Sequence, residues 1–188
     1  MTLGSYLSDF TRTIEATRAA DLDGPIEAAI DAIAAALDAR KPLLICGNGG
    51  SAADAMHIAG ELVGRYKRER RGFNAIALGA DAAVTTAWGN DYAFETIFAR
   101  QVEAFGAPGG VVWGLSTSGN SENVVRALIA AKDSGMRTLA MTGAGGGRLA
   151  EVADILVAVP SSDTPRIQEV HTALYHYVCE AVEQRLAD

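Results

Sequence analysis

The stretch VVWGLSTSGNSENVVRALIAA, residues 111–131, decides the fold. It opens with an apolar run that ends at Leu115 and passes directly into a loop of hydroxyl side chains. From Glu122 onward, apolar residues recur with the period of a helix. A strand, a small polar loop and a helix in this order are typical of a parallel sheet, in which the loop lies beyond the carboxyl end of the strand.

The same plan recurs along the chain, because short apolar runs that end in Gly, Ser or Pro alternate with helical stretches. The predicted strands are residues 42–47, 74–79, 110–116, 137–143 and 154–160. The predicted helices are residues 3–20, 24–40, 51–66, 91–105, 121–134, 147–152 and 166–186. The sequence therefore predicts an α/β fold, a five-stranded parallel sheet flanked by helices on both faces, with an N-terminal helical hairpin. No proline-rich linker interrupts residues 1–188, so we expect a single domain.

The composition indicates a large aliphatic core, since 49% of the 188 residues are hydrophobic and only 6% are aromatic. The formal net charge of −7 argues against nucleic acid as the main ligand. A basic run, RYKRERR at 65–71, is interpreted as a solvated helix end and loop, and a basic face for DNA is the alternative.

The sequence predicts a cytoplasmic protein without membrane contact. The N-terminal MTLGSYLSDF lacks the basic start and long apolar stretch of a signal peptide. The most apolar helix, near residues 26–37, contains Asp31 and is too short to span a bilayer. Cys46 and Cys179 lie far apart in apolar segments, so we expect buried, reduced thiols.

The hydroxyl loop after the third predicted strand suits an anion. Hydroxyls of Ser116, Thr117, Ser118 and Ser121 can donate to phosphate oxygens, and the following helix adds N–H donors and a positive dipole end. The loop has no lysine, so it is not a P-loop. The alternative is that Ser121 only caps the helix and the rest is turn chemistry, and the two interpretations are compatible.

The loop after the first strand, CGNGGSAAD at 46–54, resembles it in plan. Ser51 and Asp54 are interpreted as a capping pair at the start of the next helix. Asn48 sits on a glycine-flanked turn, either for its tolerance of left-handed backbone angles or as a ligand-binding residue.

Titratable residues concentrate on two predicted helices. His57 and Glu61 are four apart and share a face, either as a surface pair, as a proton-transfer group or as metal ligands. The last helix begins TPRIQEVH, with Thr164 as N-cap and proline in first position. It carries His171 and His176, which lie about 140° apart around the axis, so only one of them is expected to meet a given site.

Five segments together, CGNGGSAADAMHIAGEL, WGNDYAF, STSGNSENV, MTGAGGG and TPRIQEVHTALYH, resemble the sedoheptulose-7-phosphate isomerases, also called phosphoheptose isomerases. These belong to the sugar-isomerase (SIS) domain family, so the resemblance implies a doubly wound SIS-type sheet. It covers about residues 1–186 in the same order. STSGNS alone marks only the wider family, and its combination with DAMHIAGEL and RIQEVH is much more specific.

The resemblance implies a role for each matching residue. Glu61 corresponds to the catalytic base and His176 to the acid. The substrate and its phosphate would be bound by Asn48, Gly49, Gly50, Ser51, Asn90, Asp91, Ser116, Thr117, Ser118, Ser121 and Gln168. A zinc ion, one per subunit in some members, would be held by His57, Glu61, Gln168 and His176. No organic cofactor is implied.

The implied reaction converts D-sedoheptulose 7-phosphate to D-glycero-D-manno-heptose 7-phosphate through an enediol, the first step of nucleotide-activated heptose synthesis. The implied assembly is a homotetramer with sites shared between chains, in which residues 1–40 pack the oligomer around an α/β core of residues 41–188. Gln168 and His176 lie about 12 Å apart along one helix, so a site using both is expected to draw them from neighbouring chains.

Two alternatives remain at this point. Some SIS relatives are non-catalytic and bind the bacterial replication initiator, and others isomerise a different sugar phosphate. The presence of both Glu61 and His176 favours an enzyme. Some relatives carry acidic residues where this chain has Pro165 and Gly145, which leaves the choice of substrate open between closely similar sugars.

Overall fold

The computed structural model describes residues 1–187. Its helices are α1 (Leu3–Ala19), α2 (Asp23–Asp38), α3 (Gly50–Val63), α4 (Ala82–Asp91), α5 (Ile97–Phe105), α6 (Glu122–Asp133), α7 (Leu149–Val152) and α8 (Thr164–Leu186), with a 3₁₀ turn at Phe94–Thr96. Its strands are β1 (Leu43–Gly47), β2 (Ala75–Ala77), β3 (Val111–Ser116), β4 (Arg137–Thr142) and β5 (Ile155–Ala158). None of these helices combines the length and apolar character that a bilayer-spanning helix needs.

The five strands form one parallel sheet in the order β2-β1-β3-β4-β5, which confirms the predicted architecture. β1 lies beside both β2 and β3, so the direction of strand addition reverses between β1 and β3. The register places Gly47 opposite Leu115, and the loops that follow these strands therefore leave the sheet side by side. In open parallel sheets, this reversal point opens the crevice in which ligands bind.

Each face of the sheet has its own hydrophobic core. Along β1, Leu43 and Ile45 join the core with α2, α3 and α8, whereas Leu44 and Cys46 join the core with α5 and α6. This alternation follows the twofold period of a strand. Cys179 of α8 lies in the first core, so each face contains one buried, unpaired thiol, as predicted.

Helices α3 and α8 pack side by side and run in the same direction. At their beginnings, Gln168 lies against Gly50, where an added Cβ would approach Nε2 of the glutamine to 2.5 Å. Farther along, the Tyr175 hydroxyl lies 2.9 Å from Nδ1 of His57. Near its end, α8 contacts the loop after α3 through Glu183. Successive residues of α8 therefore meet successive turns of α3.

The segment before α5 differs from the sequence-based prediction of one helix over 91–105. The chain forms α4, a 3₁₀ turn and then α5. Oδ1 of Asp81 accepts hydrogen bonds from the N–H groups of Ala83 and Val84, at 2.8 and 3.2 Å, and so caps α4. No residue of α4 is buried, so this helix lacks the apolar stripe by which a sequence reveals a helix.

The start of α3 also differs from the prediction. Its N-cap is Gly49, with φ of 56°, and Ser51 is buried inside the helix, so the predicted capping pair of Ser51 and Asp54 is wrong. The left-handed backbone, one of the two explanations considered for Asn48, is wrong too. Among residues 1–187, Arg40 is the only non-glycine residue with a positive φ, and at this turn Gly49 adopts it instead.

The start of α8 is shifted by one residue from the prediction. The N-cap is Asp163, so Thr164 is the first helical residue and Pro165 the second. Proline is tolerated in the first turn because its missing N–H would have no acceptor within the helix. A proline in the first turn is confirmed, but the predicted cap at Thr164 and the predicted first position of Pro165 are each wrong by one residue.

Candidate active site

The loops after β1 and β3 are joined by a reciprocal pair of amides. Nδ2 of Asn48 donates to Oδ1 of Asn123 over 2.9 Å, and Nδ2 of Asn123 donates to Oδ1 of Asn48 over 2.8 Å. Asn123 lies in the first turn of α6 and is only 3% exposed. Asn123 was not predicted from the sequence, although an asparagine before the apolar stripe of α6 was a usable signal. The pair fixes the distance between the two loops that line the crevice.

The hydroxyls after β3 converge on one another. Oγ of Ser116 lies 2.8 Å from Oγ of Ser121 and 3.4 Å from Oγ of Ser118. Ser121 is the N-cap of α6 by position, but its side chain makes no capping hydrogen bond. The capping function proposed as the alternative for its hydroxyl is therefore wrong. The hydroxyl instead faces the loop, at a helix N-terminus suited to an anion.

A second glycine-rich loop, residues 143–148 between β4 and α7, packs against the hydroxyl loop. Gly119 has a φ of 67°, and a Cβ there would collide with the carbonyl oxygen of Gly146. Oδ1 of Asn120 accepts from the N–H of Arg148 over 3.0 Å, and its Nδ2 donates to the carbonyl of Ser118 over 2.9 Å. Backbone contact this close requires glycine at position 119. The contact fixes the path of the hydroxyl loop and so holds the hydroxyls in place.

A cluster of three ionisable side chains lies between α3 and α8. Nε2 of His57 is 3.0 Å from Oε1 of Glu61, and the ring centroids of His57 and His176 are 5.0 Å apart. One ligand atom from each of the three lies within 4.8 Å of the others. Two imidazole nitrogens and a carboxylate oxygen are donors that zinc accepts, so these residues fit such an ion.

The local surroundings set the protonation of His176. Partial burial lowers the pKa of its imidazole below the ordinary value, and the neighbouring His57 lowers it further, while Glu61 opposes the shift. A neutral imidazole near pH 7 can both give and take a proton.

The remaining predicted residues of α8 lie away from the cluster. His171 is fully buried, with Nε2 3.1 Å from the carbonyl of Thr142, and burial lowers its pKa to about 4. The prediction that only one of the two α8 histidines meets the site is thus confirmed within the chain. Gln168 lies against Gly50, two helical turns before His57, so one chain does not bring it to the predicted ligand set.

The loop after α3 is tied down at the end of the cluster. The carboxylate of Glu183, 1% exposed, accepts from the N–H groups of Tyr66, Lys67 and Arg68 at 2.8, 2.6 and 2.9 Å. Burial alone would raise its pKa, but these donors and a nearby arginine lower it.

That arginine, Arg70, also caps the C-terminus of α3. Its guanidinium donates to the carbonyls of Glu61 and Gly64, both at 2.8 Å, and its Nε lies 3.3 Å from Oε1 of Glu183. The basic run is therefore a loop, as interpreted from the sequence, but this arginine side chain is 3% exposed and not solvated. The carbonyl of Glu61 is held by it, which limits fraying of the helix end that carries the carboxylate.

The residues expected from the WGNDYAF segment lie on α4. Asn90 and Asp91 are exposed at its end, and Nδ2 of Asn90 donates to Oδ1 of Asp91 over 2.9 Å. A pocket of about 150 Å³ opens beside the β1 loop, where Asn48 and Gly49 face Phe94 and other apolar residues. Neither Asn90 nor Asp91 lines this pocket within one chain.

Comparison with known proteins agrees with this geometry. The model of the SIS domain family matches residues 5–143. The phosphoheptose isomerase of Geotalea daltonii is 52% identical over 166 residues, which cover 88% of this chain and 86% of the relative. Two solved structures superpose closely. The phosphoheptose isomerase of Neisseria gonorrhoeae is 38% identical with a TM-score of 0.90, covering 97% of each chain, and that of Francisella tularensis is 36% identical with a TM-score of 0.93, covering 98% of this chain and 100% of the other.

Sequence identity at this level over most of both chains, with the same fold, goes beyond the likeness expected from a common architecture alone. This chain therefore belongs to the SIS domain family and, within it, to the group of the phosphoheptose isomerases.

Proposed function

We propose that the protein is an aldose–ketose isomerase that converts D-sedoheptulose 7-phosphate to D-glycero-D-manno-heptose 7-phosphate. The observation that carries the proposal is the meeting of Glu61 and His176 between α3 and α8. Relatives that bear the name phosphoheptose isomerase support the substrate. Product of this kind would enter nucleotide-activated heptose synthesis as its first intermediate. The free, buried thiols support a cytoplasmic location.

The reaction moves one hydrogen between neighbouring carbons. In the open-chain ketose, the carboxylate of Glu61 takes a proton from C1, which gives an enediol, and returns it to C2. His176 transfers protons between the two oxygens, a role that suits an imidazole whose pKa lies below its ordinary value. Both groups project from packed helices, so they are held ready for the reaction.

The phosphate end of the sugar would lie in the hydroxyl loop. Ser116, Thr117, Ser118 and Ser121 surround the N-terminus of α6, where hydroxyl and backbone donors meet the positive end of the helix dipole. The remaining predicted contacts would come from Asn48, Gly49, Gly50, Ser51, Asn90, Asp91 and Gln168. Binding the remote phosphate fixes the position of C1 and C2 relative to the carboxylate.

We further propose that His57, Glu61 and His176 hold a zinc ion, one per subunit, with Gln168 from a second chain as the fourth ligand. The three donor atoms within 4.8 Å support this. A zinc ion held by these residues would supply Lewis-acid polarisation of sugar oxygens. Glu61 cannot be a tight zinc ligand and a free base at the same moment. The proton transfer described above therefore uses Glu61 as a free carboxylate and involves no zinc ion.

The test is incubation of the pure protein with sedoheptulose 7-phosphate in D₂O, followed by NMR. An aldose phosphate should appear, with deuterium at C2, because a carboxylate-borne proton exchanges with solvent. Fructose 6-phosphate and ribulose 5-phosphate are the controls for a shorter substrate. An unchanged ketose that nevertheless binds would favour a non-catalytic binding protein, and faster turnover of a shorter ketose would reassign the substrate.

We propose that the protein assembles as a homotetramer in which residues 1–40 pack the oligomer around the core of residues 41–188, the whole forming a single SIS domain. Helix α1 has no buried residue, and its Leu3 and Leu7 are 74% and 51% exposed. An apolar groove of about 330 Å³ runs between α1, α2 and α8. Exposed leucines on a helix that buries none of its residues support contact with further copies of the chain.

Complementation between two weak variants tests whether the site is shared. Gln168→Ala and His176→Ala should each be weakly active. After the two are unfolded and refolded together, activity should rise above that of either alone, because a site can then take Gln168 from one chain and His176 from another. Native mass spectrometry of the mixture would verify that the chains mix.

The matched control pairs Glu61→Gln with His176→Ala. These two residues meet within one chain, so a mixed oligomer contains no site in which both are intact. Activity should stay low in this mixture. If the first mixture also stays inactive although the chains mix, the proposal that Gln168 comes from a neighbouring chain is wrong.

A further inference from the structure

The imidazole of His176 is held by packing and not by hydrogen bonds. His57 differs, since its Nδ1 lies 2.9 Å from the hydroxyl of Tyr175 and its Nε2 lies 3.0 Å from Oε1 of Glu61. Among residues 1–187, no hydrogen bond fixes the ring of His176, and its close contacts are with other rings. The χ2 torsion of histidine has a broad distribution, so the neighbouring groups decide where the ring points.

Three rings contact the imidazole of His176 within the distances at which aromatic pairs attract. Those of Tyr175 and His57 meet it edge-on, with centroids 4.9 and 5.0 Å away. The ring of Tyr66 lies 5.8 Å away and is the least tilted of the three, at 39°. His57 belongs to the ionisable cluster, and Tyr175 precedes His176 on α8. Tyr66, in the loop after α3, is therefore the support that comes from outside the two helices.

The loop that carries Tyr66 is fastened along one face of α8. His176, Glu180 and Glu183 follow one another at intervals of four and three residues, so they share that face. The carboxylate of Glu183 accepts from the N–H of Tyr66 over 2.8 Å, and Nζ of Lys67 donates to Oε2 of Glu180 over 2.8 Å. The backbone of Tyr66 is thus fixed on the same face of α8 from which the imidazole projects.

The side chain of Tyr66 is confined as well. It packs against the hydrophobic core between the sheet, α3 and α8. Nζ of Lys67 lies 5.3 Å from the centroid of its ring, a distance at which a cation is attracted to an aromatic face. A ring that is held by its backbone, by the core and by a cation can in turn limit the rotation of the imidazole beside it.

We propose that Tyr66 is a positioning residue that keeps the imidazole of His176 in place beside His57 and Glu61. The inference deepens the proposed function and rests on it for its catalytic consequence. The contact is made by the aromatic ring, so phenylalanine should substitute for tyrosine and leucine should not. The preference of an aromatic pair corresponds to a change of about 2- to 10-fold in population, and without it the fraction of correctly placed imidazole should fall by that factor.

The first experiment measures nuclear Overhauser effects (NOEs) from the rings of ¹³C-labelled histidine, without metal or substrate. The wild-type protein should show an NOE between the rings of His176 and Tyr66, and another between those of His176 and His57. In Tyr66→Leu the second NOE should weaken, and in Tyr66→Phe it should persist. The matched control is Phe105→Leu, which removes an exposed ring from α5, on the opposite face of the sheet, and should change neither NOE.

The second experiment is kinetic. Tyr66→Leu should lower kcat by about 2- to 10-fold and change KM little, because substrate binding does not depend on the orientation of this imidazole. In the His176→Ala background, the same change should lower kcat no further, because Tyr66 acts through the imidazole. A purely structural function would lower kcat equally in both backgrounds.

Three results would each overturn the proposal. One is a wild-type protein without the NOE between Tyr66 and His176, which decides the matter even if Tyr66→Leu does not fold. Another is an unchanged NOE between His176 and His57 in folded Tyr66→Leu. The third is an equal loss of kcat with and without His176. Because the NOEs need no turnover, their outcome is separate from that of the isomerase assay.

Discussion

Glu61→Gln is expected to lower kcat by about 10²–10⁴-fold while the protein stays folded and continues to bind the sugar phosphate. Glutamine has the size of glutamate and can still accept the contact from His57 at 3.0 Å, so packing between α3 and α8 is retained. What it lacks is an oxygen basic enough to take a proton from carbon. Steady-state kinetics and substrate titration of the same preparation would separate turnover from binding.

The matched control is Glu69→Gln, since Glu69 lies in the loop after α3 with its side chain 89% exposed. This change removes the same charge from an exposed side chain of the loop and should leave kcat unaltered. Near-normal turnover in Glu61→Gln would exclude this carboxylate as the base, and the proton transfer would then need another group from the cluster or from a second chain.

Replacing Ser116, Thr117 and Ser118 together by alanine is expected to weaken sugar-phosphate binding by at least about 100-fold. Each hydrogen bond to a charged group contributes about 1.5–3 kcal/mol, and about 1.4 kcal/mol corresponds to a factor of ten in Kd. The loop should keep its path, because the backbone contact of Gly119 with Gly146 does not depend on these hydroxyls. Calorimetric titration with the sugar phosphate measures the loss.

Ser134→Ala provides the comparison for this triple variant. Ser134 is the C-cap of α6, at the opposite end of the helix from the proposed phosphate site, and its hydroxyl donates to the carbonyl of Ala130 over 2.9 Å. Affinity should be unchanged there. If the triple variant binds normally but unfolds at a much lower temperature, the hydroxyls serve the local structure of the turn and the assignment of the phosphate site is wrong.

The architecture could be predicted from the sequence because its signals are local. Strands β1 and β3 are short apolar runs buried along their whole length, and each is followed by a loop of small residues. The resemblance of whole segments then pointed to Glu61 and His176, which the fold brings together. Helix α4 was missed because its sides are exposed, so its start depends on the cap at Asp81 and not on a hydrophobic stripe.

The supporting contacts of the site could not be predicted, because they join residues far apart in the chain. Tyr175 approaches His57 across 118 positions, and Asn48 pairs with Asn123 across 75. In the sequence, Tyr175 is one more apolar position on α8. Only the parallel alignment of α3 with α8 shows which hydroxyl meets which ring. The partner of Gln168 is likewise decided by packing between helices, since Gly50 has no side chain to signal it.

The two buried thiols lie on opposite faces of the sheet, so their reaction with an alkylating reagent can show when the layer covering each face opens. Burial raises the pKa of Cys46 and of Cys179 to about 12. Near pH 7 only about one thiol in 10⁵ is then ionised, and thiolate is the form that alkylating reagents attack. Each cysteine therefore reacts mainly in molecules whose layer has opened. Peptide mapping of the modified chain reports the loosening of the two layers separately, with no engineered label.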